Sequence, residues 1–212
     1  MDLAPLSPER LGRDSFPRMS ALDRIRHLIP SLVLVLGLAM GAMACVPWTV
    51  ITSSGPPSAL VGVTAMSIQY DYSNIRISDK GLSEEEWLAS REKDEHRATY
   101  LETKDSANIG IIEGLTKNLP NVQIVPGQAQ PGAIQITVSY TAWEEGMYAG
   151  VVAWPSKITA RIIFSRDGQT LDEISVNTAE DASLFTPAPQ QRLHTCGQRL
   201  GQFAAQYVKK AS

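Results

Sequence analysis

Three imidazoles, two thiols and the adjacent carboxylates Glu144-Glu145 are the groups in this 212-residue chain taken first for a chemical reading. A metal site needs His, Cys or carboxylate ligands that converge. His27 lies in a basic stretch near the N-terminus, His96 in a charged run, and His194 two positions before Cys196. Two positions on a helix turn side chains apart by about 200°, so His194 and Cys196 do not chelate together. Each imidazole reads as isolated and solvent-facing. Glu144-Glu145 has the spacing of a turn and reads as solvated, because acid–base pairs come from separate elements that the fold brings together. No G-x-S-x-G elbow appears, and no glycine cluster leads from a strand into a helix. No metal, cofactor or catalytic residue is implied.

The two thiols differ. In the pattern Leu193, Cys196, Leu200, Phe203, Ala204, Tyr207, Cys196 falls on the apolar face of a helix and reads as a buried, inert thiol. Cys45 directly follows the three parts of a secretory signal: Arg24, Arg26 and His27 as basic flank, Leu32 to Met40 as apolar stretch, and Ala42-Met43-Ala44 as small-residue cleavage site. The Ala-Met-Ala-Cys ending resembles the lipobox of bacterial lipoproteins. That resemblance implies cleavage between Ala44 and Cys45 and a palmitate-bearing lipid on the Cys45 sulfur. With Val46 after the cysteine, it also implies sorting to the outer membrane, facing the periplasm. Leu is usual where Ala42 stands, so cleavage without lipidation and an uncleaved anchor are the alternative readings. The stretch before Met19, with Pro5, Pro8, Pro17 and charges of both signs, does not fit a signal and points to Met19 as the start. An acylated Cys45 would leave Cys196 without a disulfide partner.

Composition bounds the rest. After residue 44 the chain carries 14 basic and 18 acidic side chains, which is no electrostatic footprint for nucleic acid. One segment has the character of a binding surface: Trp143, Met147, Tyr148 and Trp154 gather around Gly146 and Gly150. Such side chains bury much area at low entropy cost and suit contact with a partner protein or lipid headgroups. The competing reading is that the rings cap the end of a sheet.

The elements that must position these residues are legible by period. Residues 1–44 read as signal region, 45–60 as the lipidated cysteine and a Pro/Ser/Gly tether, and 61–212 as one domain. Within the tether, Val46 to Ile51 is apolar enough to rest on a membrane or pack on the domain. Val61 to Tyr70 predicts a strand, and Ser83 with Glu86 a capping box. A helical pattern runs from Trp87 to Leu119, its stripe Leu101, Ile109, Ile112, Leu115 and Leu119, with a solvated arm or break between Arg91 and Thr99. Gly110 and Gly114 suggest close approach to a sheet. A strand at Asn121 to Val125 follows. Ile134, Ile136, Val138, Tyr140 and Ala142 alternate with polar residues as a half-buried strand does. Asp167-Gly168 predicts a hairpin between 157–165 and 170–178, and Pro189 to Lys210 a final helix.

This order predicts an α+β two-layer sandwich: a mainly antiparallel sheet of about five strands with helices on one face. The lipobox-like ending, the strand Ile134 to Ala142, and the Asp167-Gly168 hairpin leading to the helix through Leu200 and Tyr207 together resemble small bacterial envelope lipoproteins with a domain like the N-terminal domain of TolB. The resemblance carries over no catalytic or ligand residue. It implies a non-enzymatic, membrane-anchored interaction or accessory module with an envelope protein partner. The alternative is a periplasmic, hydrolase-like enzyme whose site is scattered through the sequence.

Overall fold

Alternating apolar residues in four long segments build one six-stranded sheet, as a computed structural model of residues 46–56 and 58–211 shows. Ala44 and Cys45 lie outside the described residues. The elements are β1 (Trp48–Thr52), β2 (Ala65–Asp71), α1 (Glu84–Ala89), α2 (Asp94–Asn118), β3 (Gln123–Pro126), β4 (Ile134–Glu144), β5 (Met147–Tyr148), β6 (Ala153–Trp154), β7 (Ser156–Arg166), β8 (Gln169–Glu180) and α3 (Pro189–Ala211). The sheet order is β1-β8-β7-β4-β2-β3, with β5 and β6 as a separate small hairpin. β2 runs parallel to both β3 and β4, and every other pair in the large sheet is antiparallel. The mixed α+β class is as the pattern predicts. None of the described helices is long and apolar enough to cross a membrane.

One sheet face is apolar and lies under the helices. Ile68 of β2, Ile136 and Val138 of β4, Ile158 and Ile162 of β7, and Ile174 of β8 are buried there with Leu193 and Leu200 of α3. The other face is polar: Gln69 donates to Thr137 at 2.9 Å, Ser139 to Asp71 at 2.8 Å, and Arg161 pairs with Glu173 at 2.8 Å. This is the inside–outside alternation that a one-sided sheet requires. At the β7–β8 turn Asp167 and Gly168 both take positive φ, 50° and 79°, as the predicted tight hairpin demands.

Three expectations need correction. The stretch read as a tether is part of the sheet: β1 pairs with β8, Trp48 opposite Val176. Buried Asp172 then accepts from the Ser54 amide at 2.5 Å and the Ser58 hydroxyl at 3.3 Å, pinning the segment after β1. The five consecutive β-formers Trp48-Thr49-Val50-Ile51-Thr52 were the local signal, and the open edge of β8 is the reason they fold.

The long helix breaks between Ala89 and Asp94, as one reading of that stretch has it, but of the expected stripe only the C-terminal part, Leu115 and Leu119, is fully buried. Leu101 and Ile109 are exposed, while Tyr100, Thr103, Ala107, Gly110, Ile111, Gly114 and Leu115 face inward. Gly110 and Gly114 approach α3, not the sheet. A Cβ on either would run into the backbone at His194 or Gln198, and one on Gly197 or Gly201 of α3 into the carbonyl of Ala107 or Ile111. The small residues outrank the larger ones because they let the two helix backbones touch.

The third correction is in β4. A β-bulge between Tyr140 and Ala142 shifts the register against β7, so Ala142 is exposed and Trp143 is buried.

Candidate functional site: the apolar end of the sheet

The bulge decides the fate of the expected surface cluster. Trp143 is 1% exposed and packs edge-on against Tyr140 and Tyr100, at ring separations of 5.6 and 6.3 Å. Beside it, Asn108 of α2 accepts the hydroxyls of Tyr72 and Tyr140 on its side-chain oxygen, at 2.9 and 2.8 Å, and that of Tyr70 on its carbonyl, at 3.0 Å. Trp143 is thus a core residue. Met147, Tyr148 and Trp154 do come together, because β5 and β6 pair with Met147 opposite Trp154 and Tyr148 opposite Ala153. Trp154 is 61% exposed, Val151 at the hairpin tip fully so, and Met147 and Val152 stand exposed beside them.

A second exposed apolar pair, missed in the sequence, lies in the loop between β8 and α3. Leu184 is 73% and Phe185 86% exposed. The backbone beneath them is well held. The Ser183 hydroxyl accepts from the amides of Phe185 and Thr186 at 3.3 and 3.2 Å, and the Thr186 hydroxyl donates to the Asp181 carbonyl at 3.0 Å. Nothing in a Leu-Phe pair within a polar loop distinguishes this exposure from burial.

One side chain, Arg192 in the first turn of α3, joins the two loops. It is completely buried. Its Nε donates to the Ser156 hydroxyl at 2.8 Å, one terminal nitrogen to the carbonyls of Thr186, at 2.8 Å, and Pro187, and the other to the Glu145 carbonyl at 3.1 Å. Ser156 in turn donates to the same Glu145 carbonyl. All of these acceptors are neutral oxygens. A planar fork with five donors can serve them together, which an ammonium cannot. The guanidinium therefore fixes the bases of the β5–β6 hairpin and the Leu184–Phe185 loop against each other. Glu145, on the same connection, has its carboxyl pushed above the usual range by burial, with Glu144 adding to the shift and Arg91 opposing it.

Two of the remaining groups that could do chemistry, His194 and Cys196, are engaged in the fold, and His96 is exposed. His194 is not isolated: its Nε2 lies 3.1 Å from the Glu113 carboxylate, which also accepts from Gln198 at 2.8 Å. His96 lies 3.9 Å from Glu95. Cys196 is buried near the Ser156 carbonyl, and desolvation raises its thiol to about 11, the inert state its helical position predicts. Among the described residues no three His, Cys, Asp or Glu side chains are grouped to hold a metal.

No family model and no curated protein matches this sequence. Solved structures similar to it include PelC from Paraburkholderia phytofirmans, described as a dodecamer. The two are 8% identical over 73% of this chain and 97% of PelC, with a TM-score of 0.37. A minor lipoprotein from Acinetobacter baumannii is 12% identical over 69% of this chain and 90% of its own, with a TM-score of 0.35. Likeness this low assigns neither family nor function and gives no support to the TolB-like part of the resemblance.

Proposed function

We propose that this protein is a non-enzymatic lipoprotein of the bacterial envelope, held on the outer membrane by lipid on Cys45 and acting there as an interaction or accessory module for another envelope protein. The observation that carries this reading is the join between leader and sheet. Only Val46 and Pro47 separate Cys45 from the first residue of β1. A lipid on that sulfur would hold the folded body at the membrane with no free spacer. His194, Asp172 and Arg192 each hold two segments of the fold together, which supports a role by contact.

Cys45→Ala, or inhibition of the lipoprotein signal peptidase with globomycin, is expected to accumulate the unprocessed chain, and the substitution to abolish palmitate labelling. Unchanged processing and labelling would defeat the reading. Cross-linking in intact cells followed by mass spectrometry tests the partner. A specific envelope protein recovered with the wild type and lost with a relocalised Cys45→Ala chain is the expected result.

A further inference from the structure

The two ends of the sheet differ in a way that bears on how the domain would sit. At one end lie the β7–β8 turn and the loop before β4, which are polar: Gln128, Gln130, Asp167 and Gln169 are there, and Asp167 accepts from the Gly132 amide at 2.7 Å. At the other end six large apolar side chains face solvent: Met147, Val151, Val152 and Trp154 on the hairpin, and Leu184 and Phe185 on the loop beside it. These are exposed on a backbone clamped by Arg192, so the exposure is a property of the folded state.

Strand register places the start of β1 on the apolar side. β1 is antiparallel to β8, with Trp48 opposite Val176 and Thr52 opposite Glu173. The N-terminus of β1 therefore points toward the end where Glu180 of β8 meets Ser156 of β7, directly below the hairpin. Cys45 precedes Trp48 by three positions, and covalent geometry alone keeps its Cα within about 11 Å of Trp48's.

We infer that this apolar end is a membrane-contact footprint, seated in the headgroup layer of the same bilayer that holds the Cys45 lipid. Trp154 is the interfacial ring, its apolar body inward and its indole N–H available to headgroup oxygens. Leu184, Phe185 and Val151 enter beside it as the apolar side of an interfacial anchor. The lipid and the footprint together give two points of attachment, which fix the domain upright with its polar turns away from the membrane. The inference rests on the lipoprotein reading for the nearness of the bilayer.

The test uses the processed protein purified from cell membranes and placed in vesicles of phosphatidylethanolamine and phosphatidylglycerol, with and without bromine on the upper acyl chain. Brominated lipid is expected to quench tryptophan emission, and the quenched fraction to fall to less than half in Trp154→Phe. Val151→Asp/Phe185→Asp, which changes only exposed side chains, is expected to give the same loss with an unchanged circular dichroism spectrum. If the protein floats with the vesicles and wild type and Trp154→Phe are quenched alike, the footprint is overturned and the lipid anchor stands, leaving the apolar end to a protein partner. If the chain carries no acyl group and does not float, both are overturned.

Discussion

The interface between α2 and α3 and the end of the sheet at Arg192 hold their elements together by opposite means. Between the helices, Gly110, Gly114, Gly197 and Gly201 remove side chains so that backbone meets backbone, and Ile111, Leu115 and Leu200 fill what remains. At the other site one large polar side chain gathers oxygens from the hairpin, the loop and β7, while six apolar side chains remain in water. The first region is ordered because it buries its apolar surface. The second is held by the buried hydrogen bonds of Arg192 while its large apolar side chains stay exposed.

The sharpest way to break the comparison is to thicken the helix interface. Gly197→Val is expected to cost about 3 kcal/mol in urea unfolding, because the added carbons meet the Ala107 carbonyl and neither backbone can yield. An unconstrained helix position would instead gain from losing glycine. At the sheet end, Arg192→Met is expected to cost about 2–3 kcal/mol by leaving buried oxygens without a donor. It should also speed hydrogen exchange in residues 145–156 and 181–188 together, and Arg192→Lys should restore little.

Alkaline pH probes the buried side of the comparison. The folded Cys196 thiol titrates at about 11, above its ordinary value of 9, so the unfolded chain loses this proton first. Its stabilising effect is complete below pH 9 and is lost as pH rises toward 11, by up to about 2 kcal/mol. Buried phenols at Tyr72 and Tyr140 shift the same way and steepen the fall. The urea midpoint should therefore drop over that range, with a shallower slope in Cys196→Ala. The smallest effect is expected at the exposed residues: Trp154→Ser and Phe185→Ser should each change stability by less than about 0.5 kcal/mol. A larger loss from either would mean that the apolar end is part of the core after all.

Much of the architecture was legible because it rests on local rules. The capping box at Ser83 forms as read, the Ser83 hydroxyl accepting from the Glu86 amide at 3.2 Å while the Glu86 carboxylate accepts from the Ser83 amide at 2.8 Å. Asp167-Gly168 turns because those two residues tolerate positive φ, and the apolar positions of β4 as far as Tyr140 are buried as read, although Gln135 and Ser139 between them are buried too. The candidate surface was legible only by half. Trp154 and Met147 are where the aromatic cluster pointed, but Trp143 is in the core, because a bulge inverts the alternation one residue after it looks secure.

By itself the sequence determined the α+β class, the Asp167-Gly168 hairpin, the capping box at Ser83, the inert Cys196 and the sequence neighbourhood of Cys45. Each follows from the period or torsional preference of residues close along the chain. Tertiary structure alone decided that Trp48–Thr52 is a strand, that the glycines of α2 meet α3, that Trp143 turns inward, and that Arg192 ties two apolar loops at the end where β1 begins. The strand depends on the edge of β8, and the glycines on a helix far along the chain. Trp143 depends on a strand pairing that tolerates one extra residue, and Arg192 on oxygens supplied by separate segments. No local preference encodes such partners.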